Sequence, residues 1–333
     1  MPKTIIVTGG CGYIGSHVAR AFKRADPQNR VHIIDRVKRD HTLKDIDGYL
    51  IDDFASDESL ATIITLQPDV IVHCAGTSLV APSMTDPGEY YENNISKTIK
   101  LLNVLRNLQK KPYILFSSSA SVYGEPESVP ISEDADIQPI SPYGATKAMT
   151  ERILTDYAAA YGICSVCFRY FNAAGAEPFE HDLGQEPGAT HIVARVLEAS
   201  INKTDFTLYG SDYDTEDGSC IRDYVHVWDL AMAHLKGVEY LDNLYQDSAD
   251  VTAGCYVFNL GTNTGISNWD IVKYVCNKYG LDSLLIQSRR HGDPAVLIAD
   301  ANKASVELYW APKYSQMETI IDTAYKWYTN GLR

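Results

Sequence analysis

The sequence predicts an α/β protein: a doubly wound parallel sheet with a smaller α/β domain in its C-terminal part. Three observations lead there. Hydrophobic residues make up 45% of 333, enough to bury a large core. Short aliphatic and β-branched runs alternate with stretches of helical spacing, which implies parallel strands joined by helices. The first such run, Thr4 to Thr8, passes directly into Gly9-Gly10-Cys11-Gly12-Tyr13-Ile14-Gly15. Strand, glycine turn and helix in that order form the context in which a dinucleotide pyrophosphate rests on a helix N-terminus.

Taken in order, the helix after the glycines runs to about Ala25. Gly9 allows the tight turn, Gly12 lets the backbone approach a phosphate, and Gly15 permits close helix–strand packing. A second strand, Val31 to Ile34, ends at Asp35, where an acid binds ribose hydroxyls. Asp35 favours NAD over NADP; Arg36 beside it is a residue type that accepts a 2′-phosphate. Residues 36–50 read as a polar surface loop, and Asp52-Asp53-Phe54 closes a short third strand. Ser59 to Leu66 reads as a helix, ended by Gln67-Pro68-Asp69. Val70 to Cys74 is a fourth strand, closed by Ala75-Gly76. Glu92 to Leu108 reads as one long helix carrying Asn94. The strand Pro112 to Phe116 ends in Ser117-Ser118-Ser119. Ligands belong at the C-terminal strand ends, where Gly9, Asp35, Asp53, Ala75 and the serines fall. Ser141-Pro142 opens a helix to about Tyr161, with proline in the first turn.

Composition narrows the functional classes. A net charge of −14 argues against non-specific binding to nucleic acid or anionic membranes. No apolar run approaches the roughly 20 residues that span a bilayer, and no secretory leader pattern is visible. Of seven scattered cysteines only Cys164 and Cys167 stand in CxxC spacing, with no second pair to complete a metal site; they suggest reduced thiols in a cytoplasmic protein, and no ligand cluster suggests a metal.

On that last helix, Tyr143 and Lys147 stand four residues apart and therefore on one face. A neighbouring ammonium lowers a phenol pKa from its usual value of about 10. The expectation is a tyrosine that takes a proton from a substrate hydroxyl near neutral pH. Arg222 and Arg290, beside glycine-rich turns in an acidic chain, are candidates for bidentate phosphate contacts.

Four segments together resemble the extended short-chain dehydrogenases, and within them the nucleotide-sugar epimerases. They are Gly9 to Gly15, Phe116-Ser117-Ser118-Ser119-Ala120-Ser121-Val122-Tyr123-Gly124, Ser141 to Lys147, and Arg169-Tyr170-Phe171-Asn172. The resemblance continues through Thr207-Leu208-Tyr209-Gly210, Ile221 to Val227, Asn259-Leu260-Gly261 and Arg289 to Ala295, so it spans essentially the whole chain. It implies a Rossmann-like NAD-binding domain over residues 1–172, with segments near 223–243 and 255–262 returning to it, and a UDP-sugar-binding domain over 173–333. The implied activity is interconversion of UDP-glucose and UDP-galactose by transient oxidation at C4 with tightly held NAD. The alternatives are a 4-epimerase of UDP-GlcNAc or UDP-glucuronate, or a non-catalytic dinucleotide sensor on the same fold.

The resemblance also assigns roles. Catalysis falls to Tyr143, Lys147 and Ser119. NAD contacts fall to Gly9, Gly12, Tyr13, Ile14, Gly15, Asp35, Arg36, Asp53, Phe54, Cys74, Ala75, Gly76, Ser78, Asn94, Ser117, Tyr143, Lys147 and Tyr170. Substrate contacts fall to Ser119, Ser121, Tyr143, Phe171, Asn172, His191, Ile192, Thr207, Leu208, Tyr209, Arg222, Tyr224, Arg290, Asp293 and Leu297. Dehydratases of the superfamily carry an Asp-Glu pair where this chain has Ala120 and Ser121, which counts against elimination. Ser78 replaces a lysine common in epimerases, and His191 stands near a site where narrow-specificity members have asparagine. Leu297 occupies the gate position, intermediate between the tyrosine of narrow sites and the small residue of broad ones. A homodimer through a helix bundle is also implied.

Overall fold

A computed structural model describes residues 1–39, 45–246, 252–289 and 294–331. Its centre is a seven-stranded parallel sheet in the order β11-β6-β5-β4-β1-β2-β3. The strands are β1 (Thr4–Thr8), β2 (Arg30–Asp35), β3 (Gly48–Ile51), β4 (Val70–His73), β5 (Tyr113–Ser119), β6 (Ser165–Tyr170) and β11 (Cys255–Leu260). The chain lays β1, β2 and β3 outward in one direction, then returns to place β4, β5 and β6 in the other. The reversal between β1 and β4 is a switch point, where a crevice opens at the C-terminal strand ends.

Both faces of the sheet are covered, and single-residue alternation decides which side chain goes where. Ile5, Val7, Val31, Ile33, Val70, Val72, Leu115 and Phe168 pack under α1 (Tyr13–Ala25) and α8 (Val227–Gln246). Ile6, Ile34, Ile71, Ile114, Phe116 and Cys167 point the other way, toward α2 (Asp57–Leu66), α5 (Lys97–Leu105) and α6 (Pro142–Tyr161).

A second core lies between α7 (Ile192–Asn202), α9 (Asn268–Tyr279) and α11 (Met317–Lys326), against β8 (Asp205–Tyr209), which pairs with β13 (Ser283–Gln287). Short strands join the two regions: β7 (Asn172–Ala174) pairs with β10 (Tyr224–His226), and β9 (Ile221–Arg222) lies between β12 (Ile266–Ser267) and β14 (Val296–Leu297). Two short helices, α3 (Val80–Ser83) and α4 (Pro87–Tyr91), precede α5, and α10 (Asn302–Glu307) follows β14.

Two element expectations need correction. The polar stretch 36–50 does not stay a loop to its end: β3 begins at Gly48, because the buried edge of β2 pulls Tyr49 and Leu50 into register with Ile33 and Ile34. The helix expected over 92–108 is not uniform. Residues Glu92–Ser96 form a π-helical turn, and regular α5 ends at Leu105. A π-turn adds a residue to the repeat and commonly marks a functional position; Asn94 lies inside it.

Candidate active site

The glycine turn sits where β1 meets α1. Gly9 has φ +70°, and a side chain there would strike the Ala75 backbone nitrogen at 2.7 Å. Its amide donates to the Ile34 carbonyl at 2.8 Å, tying the turn to β2. A side chain at Gly15 would overlap the Gly9 carbonyl oxygen, so α1 reaches this close to β1 only with glycine. Gly12 caps α1 in extended backbone with no side-chain cap and no acid in the first turn. The positive end of α1 is therefore unopposed by its own side chains. Tyr13 is held by its hydroxyl donating to the Gly175 carbonyl at 2.7 Å, and Ile14 packs on the core under the sheet. Asp35 accepts from the amides of Cys11 (2.9 Å) and Val37 (3.1 Å), while Arg36 is exposed.

Asp53 bonds Lys97 at 2.7 Å. Burial works to raise its pKa, but the Lys97 hydrogen bond and the Ala55 amide hold the carboxyl below its usual range. Phe54 is buried, edge-on to His73 at 5.0 Å between ring centres. The loop after β4 carries Ala75, Gly76 and an exposed Ser78. It is clamped by Asn94, whose Oδ1 accepts from the Thr77 amide at 2.8 Å. Both amide hydrogens of Asn94 are used, on the Thr77 carbonyl (3.0 Å) and Thr146 Oγ1 (3.0 Å). Asn94 therefore joins the β4 loop to the start of α6.

Ser117 and Ser119 stand at the end of β5, one strand from β4. Ser117 Oγ lies 3.1 Å from Cys74 Sγ and 3.0 Å from Tyr170 Oη. Tyr170 reaches His234 Nε2 at 2.9 Å, and His234 Nδ1 faces the Leu230 carbonyl at 2.8 Å. The carbonyl needs a donor, so Nδ1 carries the proton and Tyr170 donates to Nε2. Ser119 Oγ accepts from the Ser121 amide and donates to Ser121 Oγ, both at 3.1 Å.

Opposite them, Ser141 caps α6 through the Gly144 amide at 3.1 Å, and α6 presents Tyr143 and Lys147 to the serines. Lys147 is buried; its Nζ donates to the Ser117 carbonyl at 2.8 Å and sits 4.8 Å above the Phe116 ring. Burial pulls the Lys147 pKa down to about 8, against the opposing influence of Cys74 and Glu151.

The expectation that Lys147 lowers the Tyr143 pKa is corrected here. Burial pushes the Tyr143 phenol above its usual value; Ser119 opposes that shift and Tyr90 adds to it. The Lys147 ammonium points to the Ser117 carbonyl, 5.7 Å from the Tyr143 ring centre. Helical spacing puts two residues on one face but does not fix where a four-carbon stem aims its charge.

The second half supplies a wall. Register places Leu297 beside Arg222 and Tyr224 beside Asn172. Arg222 is buried, with Nη1 donating to the Ile221 carbonyl at 2.8 Å. Tyr224 donates to Asn268 Oδ1 at 3.1 Å. Asn172, Tyr224, His191 and Ile192 line one cavity with Gln185 and Trp327. Burial lowers the His191 pKa. Phe171 is buried in a cluster with Val122, Tyr123, Ile131 and Ala299, against which Leu297 packs. Thr207 and Tyr209 are half-buried on β8, whereas Leu208 points into the second core. Arg290 and Asp293 lie outside the described residues. Among the described residues no group of His, Cys, Asp or Glu could hold a metal, and all seven cysteines are free.

Sequence reasoning missed two neighbours of the pair. Tyr90 meets Tyr143 edge-on at 6.5 Å between ring centres, a contact without any local signal. Glu151, buried behind Lys147, was legible by adding four to 147 along the same helix face.

A family model described as "NAD dependent epimerase/dehydratase family" matches residues 5–251. A UDP-glucose 4-epimerase of Halalkalibacterium halodurans is 39% identical over 330 residues, 97% of this chain and 95% of that protein. The crystal structure of UDP-glucose 4-epimerase from Brucella ovis in complex with NAD has a TM-score of 0.90 at 35% identity, covering 98% of both chains. That of the Bifidobacterium longum enzyme with NAD+ and UDP has a TM-score of 0.85 at 31% identity, covering 98% of this chain and 99% of the other. The chain belongs to the NAD dependent epimerase/dehydratase family.

Proposed function

We propose that this chain is a UDP-glucose 4-epimerase. The observation that carries the reading is the convergence of Tyr143, Lys147, Ser117 and Ser119 at the C-terminal ends of β4 and β5, with Ala120 and Ser121 following where an elimination enzyme needs an acid and a base. The near-full-length similarity to UDP-glucose 4-epimerases supports it.

The residues fit NAD. The uncapped start of α1 suits a pyrophosphate, the side-chain-free face of Gly12 leaves room for it, and Asp35 at the end of β2 keeps acceptor capacity for ribose hydroxyls. Gly9 to Gly15, Asp35, Asp53, the loop 74–78 and Lys147 would hold it. An acid at the ribose favours NAD over its 2′-phosphorylated form. Bound there, NAD supplies a hydride acceptor and a positive charge that favours the Tyr143 phenolate.

The chain's own residues supply the rest. Tyr143 takes the proton of the sugar 4-hydroxyl, and Ser119 hydrogen-bonds that oxygen as its charge changes. Lys147 fixes ribose hydroxyls with the two donors that Ser117 leaves free. Residues 1–172 with β11 and α8 form the dinucleotide-binding part, and Asn172, Arg222, Tyr224 and the segment around 290–293 hold the uridine diphosphate. Anchoring that far group lets the sugar turn over while the nucleotide stays bound.

Purified protein offered UDP-glucose, UDP-GlcNAc and UDP-glucuronate should epimerise UDP-glucose fastest, and denaturation should release stoichiometric NAD. Preferred turnover of UDP-GlcNAc would instead assign Leu297 to a broad site, and absence of bound NAD would sink the reading. A homodimer through α5 and α6 is part of the proposal, supported by the exposed Met149 and Tyr161 on α6. Sedimentation showing only monomer at micromolar concentration would remove it. The seven free thiols support a cytoplasmic setting.

A further inference from the structure

Behind the Tyr143–Lys147 pair lies a buried polar network that the proposed chemistry does not use. Glu151 continues the same face of α6, four residues beyond Lys147. Its Oε1 accepts from Ser118 Oγ at 2.5 Å and from Arg169 Nε at 3.0 Å; its Oε2 accepts from Arg169 at 2.7 Å. Ser118 sits between the two serines of the site, and Arg169 is its register partner on β6. Arg169 also donates to Tyr123 Oη at 2.8 Å and to the Glu133 carbonyl at 3.2 Å. Glu151 and Arg169 are both buried.

A buried ion pair is costly in desolvation and is weak evidence for stability. Its position here suggests another use. The strand end it grips carries Ser117, whose carbonyl holds Lys147, and Ser119, which faces Tyr143. The helix it grips carries Tyr143 and Lys147 themselves.

We propose that Glu151, locked by Arg169 and Ser118, is a positioning residue that sets the serine end of β5 against α6 and supplies the negative charge that keeps the buried Lys147 an ammonium. The inference deepens the epimerase reading and rests on it. Other groups around Lys147 bear on its charge: His73 at the end of β4, Cys74 just beyond it, Cys167 from β6, and Tyr143 on its own helix. Of these and Glu151, only Glu151 is a carboxylate, held in a bidentate ion pair with Arg169.

The test compares three holoenzyme variants with the parent chain. Glu151→Gln keeps an acceptor for Ser118 and removes the charge. It should lower kcat by about tenfold, leave KM for UDP-glucose within about twofold, and move the basic limb of the kcat–pH profile down by roughly half a unit or more. Adding Arg169→Met to E151Q restores local neutrality and should return the limb toward its parent position even if the melting temperature stays low. Ser118→Ala keeps both charges and should lower kcat with the limb unmoved. An unmoved limb in E151Q would overturn the electrostatic role, and an unchanged kcat in S118A would overturn the positioning role. Amide exchange across Leu115 to Ser119, faster in E151Q, reports positioning without turnover. A parent chain with no epimerase activity would refute the function alone. Unchanged exchange would then refute the inference.

Discussion

At Tyr143 two influences compete for one proton. Burial favours the neutral phenol, and Tyr90 packed edge-on adds to that preference, while Ser119 pulls the other way. A base that must ionise when substrate arrives gains from such a poise, because its proton affinity is set by what enters the crevice. Tyr143→Phe keeps the ring against Tyr90 and removes only the hydroxyl. It should lose about 10²- to 10⁴-fold in kcat, the usual range for one acid–base group, and still retain NAD and UDP-sugar by equilibrium binding. Turnover at the parent rate would remove Tyr143 as the base. Spacing in the sequence was enough to put 143 and 147 on one face. It was silent about the Lys147 ammonium aiming at the Ser117 carbonyl, because that depends on the register of β5 against α6.

At the scale of the element, the glycine turn and the Asn94 clamp do the same work on either side of the switch point. Each holds a loop flat against a strand end. Gly15→Ala should be costly out of proportion to one methyl, since the added carbon overlaps the Gly9 carbonyl. Overpacking of this kind costs about 1–3 kcal/mol, visible in thermal unfolding, together with reduced NAD content. A G15A protein with parent stability and full NAD would show that α1 can back away. The glycine spacing could be read from sequence because local backbone geometry demands it. The clamp could not: Asn94 is one polar residue on a helical pattern, and its partners at 77 and 146 meet it only after folding. The Glu151–Arg169 pair was hidden for the same reason, being a product of strand register.

For the whole molecule, the informative groups are four buried histidines. Burial lowers His17 and His234 to about 4, and His73 and His226 to about 3. Each is neutral in the fold and protonates in the unfolded chain near 6.5. Their contribution is therefore fully present above about pH 6.5 and is lost as pH falls toward the folded values. One histidine loses about 1.4 kcal/mol per pH unit in that window, so four lose roughly 5.6 kcal/mol per unit against a total stability of about 5–15 kcal/mol. Glu133, Asp223 and Asp229, held above the usual carboxyl range by burial, work in the opposite sense and soften the slope. The melting temperature should fall steeply below pH 6, and the chain should unfold before pH 4. A melting temperature unchanged between pH 7.5 and 4.5 would contradict neutral burial of these rings. The alternation of strands and helices made the sheet legible at this scale, β1 and β4 included. What it could not convey is how the second core closes over the crevice, since that rests on pairs of two and three residues.

The outermost strand, β11, has a consequence for how the protein is made. It completes the sheet beside β6, yet the ribosome delivers it only after the whole stretch 171–254 has emerged. At about 5–20 residues per second, the apolar edge of β6, with Val166 and Phe168 destined for full burial, waits on the order of ten seconds for its partner. A bare, apolar strand edge invites pairing with another chain. The nascent polypeptide should therefore be a client of whatever holds unfinished chains apart, and a fragment stopped before Cys255 should aggregate on synthesis where the full chain does not.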